Sequence, residues 1–482
     1  MGAGNGGDGG RKEGGAVRER ADSTRVMGEG RVWGLLWKFS VPCIVGMLVN
    51  SLYNIVDRIC IGYGVGDEGI AAVTVSLPLM MLMVAFSTLV GVGANTLFAI
   101  RMGEGRKRDA ELILGNAFTL LVLFPAAASA LAIWGVDALL EAIGCSEELL
   151  PLARPYAVIV LAGSALSTTG HGLSHFLRSD GHPQSAMVSM LIGAGVNMAL
   201  DPLFIFAFKW GVAGAAAATV IAQGCSFLWC FLYFLSPAAN TRLMRNALRI
   251  RWRRIAGPFL VLGITPFALN VCFGLLNAVL NLSLQRYGGD QAISVMGVLS
   301  AYMSLIFMPT LGIGQGVPPL IGYNYGARKY GRVLEFYRAS ALLATLVMTA
   351  GWVLSQGFPE VIVRLFVAEG SPLLGVAPRA LRIYTSMFPL IGMPMMAGTL
   401  FQSIGKAWHA GFLSLSRQLI FFIPAMLLLP LVLPGLTGGG MSALDSVYCS
   451  APVSDVISFA VAVVFTGREV RRLRRAGAAG EG

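Results

Sequence analysis

Residues 69–100 read GIAAVTVSLPLMMLMVAFSTLVGVGANTLFAI, a stretch without a single Asp, Glu, Lys or Arg. A helix of that length exceeds the roughly 20 residues needed to cross the hydrocarbon core of a bilayer. Of the 482 residues in the chain, 55% are hydrophobic and only 13% are charged, whereas a soluble domain carries about 25% charged residues. This composition excludes a soluble enzyme, a nucleic-acid-binding protein and a disordered chain, and it predicts a polytopic α-helical membrane protein.

Twelve apolar runs long enough to cross a bilayer are predicted, six in each half of the chain. We number them spans 1 to 12, with approximate bounds 34–61, 69–100, 112–140, 151–177, 184–208, 211–235, 257–286, 291–321, 333–356, 377–403, 408–433 and 446–467. The predicted fold is all-α, with an N-terminal six-helix bundle (33–235), a basic cytoplasmic linker (236–256) and a C-terminal six-helix bundle (257–467). The glycine-rich residues 1–32 are predicted to be a disordered cytoplasmic tail, and residues 468–482 a basic cytoplasmic tail.

The basic residues predict the orientation. With both termini on the cytoplasmic side, 28 Lys and Arg residues fall in inner segments and 7 in outer segments, which is the bias of the positive-inside rule. This placement accounts for the net charge of +11 without a nucleic-acid partner. The seven cysteines are scattered along the spans without metal-ligand spacing, so neither a disulfide framework nor a metal site is predicted.

The two halves of the chain repeat one another. Gly91-Val-Gly93 recurs as Gly312-Ile-Gly314, and Pro42 in span 1 matches Pro266 in span 7, at offsets of 221 to 224 residues. Six spans in each half give the repeats the same orientation. This pattern predicts two bundles related by an axis along the membrane normal, the architecture of an alternating-access transporter. A duplicated channel or membrane enzyme is the alternative.

Four motifs, in this order and spacing, resemble the multidrug and toxic compound extrusion (MATE) family. They are Tyr53-Asn-Ile-Val-Asp-Arg58, Gly91-Val-Gly-Ala94, Gly312-Ile-Gly-Gln-Gly316 and Gly322-Tyr-Asn-Tyr-Gly-Ala327. Two further stretches, Arg286-Tyr-Gly-Gly-Asp290 and Ser416-Arg-Gln418, are similar to the MepA-like branch of that family. The resemblance covers residues 33–467 and implies a secondary transporter built from two pseudo-symmetric six-helix bundles.

Three carboxylates lie at membrane depth, where ionisable groups are costly and mark ion or substrate pathways by default. Asp57 lies near the outer end of span 1, Asp201 in the outer third of span 5, and Asp455 in span 12. If Asp57 and Asp201 lie close together they cannot both stay ionised at low cost, so they predict a proton or sodium site. The alternatives are an ion pair between Asp57 and Arg58, and a helix cap at Asp201 before a proline.

The resemblance implies a more complete ion-coupling network in the N-terminal bundle. The matching residues, which we predict to couple transport to an ion, are Tyr53, Asp57, Tyr156, Asn197, Asp201 and Thr219. Pro42 matches the proline at which span 1 of the family bends. On span 4 this chain departs from the family, with His171 and Ser174 in place of asparagines. We include both in the network, although His171 and its neighbour His175 are alternatively helix-packing residues.

The C-terminal bundle is predicted to have a different role. Branches of the family that bind sodium there carry carboxylates on spans 7 and 10, whereas span 7 of this chain offers Asn270 and Asn277 but no acid. These two amides are predicted to contact substrate. Arg417 and Asp455, on neighbouring spans, lie at similar depths and predict a buried ion pair, with a second coupling site as the alternative.

Together these features predict a secondary active exporter of amphipathic, cationic organic molecules or drugs, in exchange for H⁺ or Na⁺. We expect a monomer in the cell membrane, without enzymatic activity and without a cofactor besides the transported ion. A flippase for lipid-linked oligosaccharides or other polar lipids, from the same superfamily, is one alternative. An integral membrane enzyme is the other, although no catalytic constellation is visible in the sequence.

Overall fold

The computed structural model of the chain describes residues 26–367, 370–437 and 440–480. Within these ranges the chain forms helices joined by short turns and contains no β-strand. Ten of the described helices are long and apolar enough to cross a membrane. Large apolar side chains such as Leu131, Leu282 and Leu431 are 69%, 71% and 68% exposed. Such exposed apolar surface is what lipid-facing helices require, so the chain is a multi-pass membrane protein.

The N-terminal half contains six long helices that correspond to spans 1 to 6. Span 1 is Val32–Gly64, span 2 Asp67–Gly103, span 3 Lys107–Trp134, span 4 Leu150–Ser179, span 5 Pro183–Ala207 and span 6 Gly211–Leu235. The last turn of span 5, Leu203–Ala207, is π-helical. Residues predicted for the end of span 3 instead form a separate amphipathic helix, Val136–Ile143, that begins after Gly135.

The C-terminal half contains spans 7 to 12, two of which depart from simple helices. Spans 7 and 8 form a continuous helical stretch, Trp252–Gly326, broken at Gly289, where φ is 60°. Span 10 consists of Leu373–Thr385, a 3₁₀ turn at Phe388–Leu390 and Gly392–Ser403. Span 9 is Tyr330–Gly357, span 11 Ala407–Leu436 and span 12 Ala443–Gly480, with a short helix Pro359–Phe366 after span 9. Spans 7 and 8 count as one long helix, and span 10 is divided into helices too short to be counted. The twelve predicted spans therefore correspond to ten long helices.

The two bundles contact each other at glycine residues, where the backbones of facing helices approach closely. A Cβ atom added at Gly93 or Gly263 would overlap backbone atoms of the facing helix, and so would one at Gly103 or Gly326. The overlapped atoms belong to spans 2, 7 and 8, and these helices continue toward the side of the bundles that carries residues 236–256. We call this side the linker side, which the charge bias predicts to be cytoplasmic. The bundles are therefore closed against each other between mid-span and the linker side.

The helix ends define the register of the internal repeat. Span 3 begins at Lys107 and span 9 at Tyr330, and the turns before them place Gly105 and Arg328 at positive φ, 75° and 59°. Both pairs are 223 residues apart, which lies within the predicted range of 221 to 224 but differs by two from the offset of the glycine motifs. The glycine motifs differ because Gly312, Gly314 and Gly316 alternate, so two registers match the same pattern.

The disorder predicted for the N-terminal tail is wrong for its last residues, and the predicted C-terminal tail continues the helix of span 12. Residues 26–29 are helical and Met27 is buried, while residues 1–25 lie outside the described residues. The carbonyl oxygen of Met27 accepts a hydrogen bond of 2.9 Å from Asn324, and that of Gly30 one of 2.7 Å from Arg332. At the other end, the helix of span 12 extends to Gly480 instead of ending near residue 467. Long-range hydrogen bonds and helix continuation order these segments despite their polar composition.

Candidate functional site

A buried hydrogen-bonded group links spans 5 and 6. Asp201 is completely buried, and Asn197 and Thr219 are nearly so. The amide Nδ2 of Asn197 donates to Asp201 Oδ1 at 3.2 Å and to Thr219 Oγ1 at 3.3 Å. Asn197 and Asp201 share a helix face because they are four residues apart. Asp201 lies at the end of the regular α-helix, directly before the π-helical turn, a type of irregularity that is frequent at functional sites.

The second carboxyl group of this site comes from span 1. Asp57 is half-buried, and its carboxyl group lies within hydrogen-bonding reach of that of Asp201. Asp57 Oδ1, Asn197 Oδ1 and Asp201 Oδ2 are buried without a hydrogen-bond donor in the part of the chain that the structure describes. Two carboxylates cannot donate to each other unless one is protonated. The three buried oxygens therefore form an arrangement suited to a proton or a small cation.

Neither local alternative for these acids describes the geometry. Arg58 is exposed, and among the described residues it forms no ion pair with Asp57. Asp201 caps no helix with its side chain, since its hydrogen bond is to Asn197 one turn earlier. The two acids therefore face each other rather than local partners.

Two tyrosines complete this group. Tyr156 of span 4 is buried, and its hydroxyl lies 3.7 Å from the sulfur of Met80. Tyr53 lies one turn before Asp57, and both tyrosines are within electrostatic range of the two carboxyl groups. The structure thus brings together six residues that sequence analysis named. We call them the N-bundle cluster: Tyr53, Asp57, Tyr156, Asn197, Asp201 and Thr219.

His171 and Ser174 lie elsewhere, which corrects their predicted place in the network. Along span 4, His171 is 15 residues from Tyr156, a rise of roughly 22 Å in a helix. The Ser174 hydroxyl donates to the backbone oxygen of His171 at 2.8 Å and accepts from Arg178 at 3.4 Å. Arg178 also contacts His175 Nδ1 at 3.0 Å. These four residues form a separate group nearer the linker side.

Arg178 was missed by sequence analysis, which counted it as a loop charge. Its side chain is among the largest that are fully buried, and among the described residues it has no carboxylate partner. One guanidinium nitrogen lies 3.9 Å from the sulfur of Cys43, beside Pro42 in span 1. A possible signal was its spacing of four from Ser174, which places both on one helix face. Span 1 itself remains a single helix through Pro42, so the predicted bend does not interrupt it.

Asp180 is a second buried acid that sequence analysis missed. It follows span 4 directly and is completely buried. Its carboxylate accepts hydrogen bonds from the Tyr233 hydroxyl at 2.9 Å, the Asn240 amide at 2.8 Å and the Thr241 hydroxyl at 2.8 Å. Burial raises the pKa of Asp180 to about 7, and these hydrogen bonds act in the opposite direction. Its partners show that it fastens residues 240–241 of the linker to the N-terminal bundle.

In the C-terminal bundle, Arg417 and Asp455 form an ion pair. Arg417 Nε donates to Asp455 Oδ1 at 2.9 Å, and Arg417 Nη2 lies 2.8 Å from the same oxygen. The Asp455 side chain is 2% exposed and that of Arg417 is 31% exposed. Arg417 lies in a π-helical stretch, Ser416–Phe422, of span 11. A buried acid of this bundle is therefore neutralised by the chain itself.

This ion pair lines a cavity of about 560 Å³ within the C-terminal bundle. Asn270 of span 7 also lines the cavity, and its amide donates to Thr88 of span 2 at 3.3 Å and to its own helix. Asn277 does not line this cavity. It is exposed and donates to Phe273 O at 2.8 Å on its own helix. Of the two predicted substrate contacts, only Asn270 faces a chamber of drug-like size.

Comparisons with known proteins agree with this architecture. A family model described as MatE matches residues 42–203 and 266–428. The chain is 24% identical over 417 residues to the multidrug export protein MepA of Staphylococcus aureus strain MRSA252, covering 84% of this chain and 89% of that protein.

Two crystal structures of MATE, in the straight and the bent conformation, superimpose on this chain with a TM-score of 0.86 each. Both are 23% identical to it, and the matches cover 94% and 95% of this chain, respectively, and 99% of each crystallised chain. At this identity the likeness establishes the fold.

Proposed function

The chain belongs to the MatE family of multidrug efflux transporters and is MepA-like, and from this premise we propose that it is an antiporter. In this proposal it exports amphipathic organic cations and takes up H⁺ or Na⁺ at the N-bundle cluster. The observation that carries the proposal is the proximity of the carboxyl groups of Asp57 and Asp201, neither of which forms an ion pair with a described residue.

The cost of two adjacent negative charges supplies the driving force for ion binding. At a separation of 4 Å and an effective dielectric constant of 20, two like unit charges repel by about 4 kcal/mol. A proton held between the carboxyl groups removes this repulsion, and so does a sodium ion coordinated by them and by the amide oxygen of Asn197. Ion uptake from outside therefore changes the energy of span 1 relative to span 5, which carry the two acids.

Span 1 is suited to respond to such a change. Pro42 has no backbone N–H, so the carbonyl oxygen four residues earlier lacks its helical partner and the helix bends there at low cost. Near Pro42, Gly316 of span 8 lies so close to span 1 that a Cβ atom added to it would be 2.7 Å from Phe39 O. Movement of span 1 therefore acts directly on the contact between the bundles.

We assign substrate to the C-terminal cavity and the space between the bundles. The cavity wall is mostly apolar, with amide groups from Asn270, Gln402 and Gln418. Such a lining can accommodate varied amphipathic molecules, because few polar groups fix their orientation. In this scheme substrate enters from the cytoplasm when the contacts at Gly103 and Gly326 open. It leaves to the outside when the bundles are closed on the linker side, as in the structure described here.

The proposed setting is the cell membrane, with a monomer whose termini are both cytoplasmic. The distribution of 28 inner and 7 outer basic residues supports this orientation. A reporter fused at the C-terminus that is active only in the cytoplasm tests it. An inactive reporter at normal protein abundance, together with activity of a second C-terminal reporter that works only outside the cytoplasm, contradicts it.

The antiport itself is tested in proteoliposomes loaded with ethidium, an amphipathic cation, under an imposed pH gradient or an imposed sodium gradient. We expect efflux with one of these gradients and none without, and Asp57→Asn should abolish it at normal protein abundance. Gradient-independent movement of labelled polar lipids, without ethidium efflux, would favour the flippase instead. Full gradient-driven efflux by Asp57→Asn would remove this residue from the mechanism.

A further inference from the structure

A basic cavity lies on the linker side of the N-terminal bundle, remote from the N-bundle cluster. Its volume is about 790 Å³, and it is bounded by the end of span 2, the start of span 3 and the linker. Guanidinium groups from all three segments line it: Arg101, Arg106, Arg108, Arg249, Arg251 and Arg254. A cavity with this lining is suited to an anion, because arginine binds phosphate groups through paired N–H donors.

The acids near the cavity neutralise only part of this charge. Arg101 pairs with Glu104 at 2.6 Å, and Arg106 pairs with Asp109 at 2.5 Å. The other four arginines form no ion pair with any described residue: Arg108, Arg249, Arg251 and Arg254. Glu111 also lines the cavity; its carboxylate accepts from the Arg242 backbone amide at 3.3 Å and forms no ion pair with a described residue. The six arginines still exceed the three nearby carboxylates, those of Glu104, Asp109 and Glu111, by three positive charges. Their mutual repulsion is relieved by an anionic ligand.

Hydrogen bonds from span 3 hold the backbone of the linker against the N-terminal bundle. Asn116 of span 3 donates to Ala247 O at 2.9 Å and accepts from the Arg251 backbone amide at 2.7 Å. The hydroxyl of Thr119 donates to Leu248 O at 2.9 Å. Asp180 fastens the earlier part of the linker, as described above. The backbone that carries Arg249 and Arg251 is thus held against span 3 before any ligand binds, which lowers the entropic cost of binding.

The internal repeat supplies an independent comparison. With the register of 223, Arg101, Arg106 and Asp109 correspond to Asn324, Lys329 and Arg332. In the C-terminal bundle these three side chains donate to backbone oxygens of residues 27–30, at 2.7 to 3.4 Å. The chain itself thus fills the equivalent place with acceptor oxygens. In the N-terminal bundle the corresponding place is the open cavity, where the linker adds Arg249, Arg251 and Arg254.

The surroundings place this cavity at the membrane surface. Trp252, beside Arg251, is 53% exposed and stacks on Phe124 of span 3 with ring centroids 6.5 Å apart. Phe124 lies 17 residues beyond the start of span 3 at Lys107, a rise of roughly 25 Å, so this apolar surface runs from the cavity along span 3 away from its linker-side end. Leu123, next to Phe124, is 50% exposed and continues this surface along span 3. A ligand that combines a phosphate with acyl chains matches both the arginine-lined cavity and the apolar surface beside it.

We propose that this cavity binds the headgroup of an anionic phospholipid from the cytoplasmic leaflet, with its phosphate among Arg108, Arg249, Arg251 and Arg254. Trp252 and the adjacent surface of span 3 receive the start of the acyl chains. A free inorganic phosphate shares the anionic chemistry but has nothing to place on this apolar surface. Basic pockets of this kind on the cytoplasmic side of membrane helices recognise lipid headgroups.

The test is native mass spectrometry of the full chain in a non-ionic detergent, titrated with phosphatidylglycerol or phosphatidylcholine. We expect a saturable phosphatidylglycerol adduct that weakens roughly a hundredfold in the triple variant Arg249→Gln/Arg251→Gln/Arg254→Gln, or roughly fivefold per arginine. The matched control is Arg471→Gln/Arg474→Gln/Arg475→Gln, which removes the same charge from exposed arginines of span 12 and should bind normally. Excess inorganic phosphate should compete only weakly.

Three results would overturn the proposal. Equal weakening in both triple variants would indicate a non-specific charge effect. Equal binding of phosphatidylcholine would exclude recognition of negative charge. Displacement of the lipid by millimolar inorganic phosphate, with phosphate itself binding at the cavity, would assign the site to a soluble anion. None of these results depends on transport, so the lipid site and the proposed antiport fail or succeed separately.

Discussion

Each bundle has a buried carboxylate between equivalent helices, and the two bundles differ in how its negative charge is compensated. Between spans 5 and 6, Asp201 is hydrogen-bonded to the neutral amide of Asn197, which also bonds Thr219. Between spans 11 and 12, Asp455 forms an ion pair with Arg417 and receives a hydrogen bond from its guanidinium. In both bundles the first of these helices has a π-helical stretch beside the polar group. Helix geometry is thus alike, and the charge balance differs.

This difference separates exchangeable from permanent charge compensation. In the C-terminal bundle the cation is a side chain, so it cannot leave and the acid remains neutralised throughout a transport cycle. In the N-terminal bundle Asp201 instead lies near a second acid, Asp57, and neither forms an ion pair with a described residue, which is why we propose that the compensating cation comes from solution. The comparison predicts ion coupling in the N-terminal bundle and a structural ion pair in the C-terminal bundle.

The largest effect is expected from removing an acid of the N-bundle cluster. Asp201→Asn keeps the size of the side chain and removes its charge, so gradient-driven export and its dependence on pH should both be lost. A transport–pH profile in proteoliposomes measures this. The control is Asp137→Asn, which neutralises a half-exposed acid paired with Arg154 and should leave the profile unchanged. An unaltered profile in Asp201→Asn would place coupling elsewhere.

The next effect concerns stability in the C-terminal bundle. Arg417→Met leaves the buried Asp455 charge without its partner and should destabilise by about 3–5 kcal/mol. Asp455→Leu leaves the partly exposed Arg417 and should destabilise less. The double variant should recover much of this loss, because apolar side chains of similar volume replace the pair. A double-mutant cycle on thermal unfolding in detergent measures the coupling. Additive losses would contradict a structural pair, and loss of pH dependence with normal stability would support a second coupling site.

A smaller effect is expected in the substrate cavity. Asn270→Ala removes an amide from the wall of the C-terminal cavity, whereas Asn277→Ala removes one that bonds only to its own helix. Apparent affinity for ethidium should therefore change severalfold in Asn270→Ala, by about 1 kcal/mol or less, and should not change in Asn277→Ala. The pH profile should be the same in both. A shifted pH midpoint in Asn270→Ala would mean that the C-terminal bundle participates in coupling.

Local sequence patterns predicted most of the fold and the acids of the site. Apolar runs locate helices because a bilayer demands about 20 apolar residues in succession, and the rarity of charge within them singled out Asp57, Asp201 and Asp455. What failed depends on contacts between distant segments. The burial of Arg178 requires packing of span 4 against span 1, and the order of Met27 requires hydrogen bonds from spans 8 and 9. Neither leaves a local pattern.

The resemblance to a family added residues to the predicted ion-coupling network but did not indicate how deep in the membrane they lie. It correctly associated Tyr53 and Tyr156 with the two acids, because these positions lie at similar heights in the bundle. It also included His171 and Ser174, which lie several helical turns away beside Arg178. A simple count of residues along span 4 would have separated them, since each residue contributes 1.5 Å of rise.

The smallest effect we expect tests the polar environment of Asp201 without changing charge. Thr219→Val is close in shape and removes the hydroxyl that accepts from Asn197, leaving the bond between Asn197 and Asp201. The loss of one neutral hydrogen bond, about 1 kcal/mol, should weaken apparent affinity for the coupling cation roughly fivefold, with maximal export preserved. Thr310→Val is the matched control, because the hydroxyl of Thr310 is buried in span 8 without a partner among the described residues. Dependence of efflux on the concentration of the driving ion measures both variants. Equal shifts in the two would mean that the change reflects packing, whereas a shift confined to Thr219→Val locates cation binding at the N-bundle cluster.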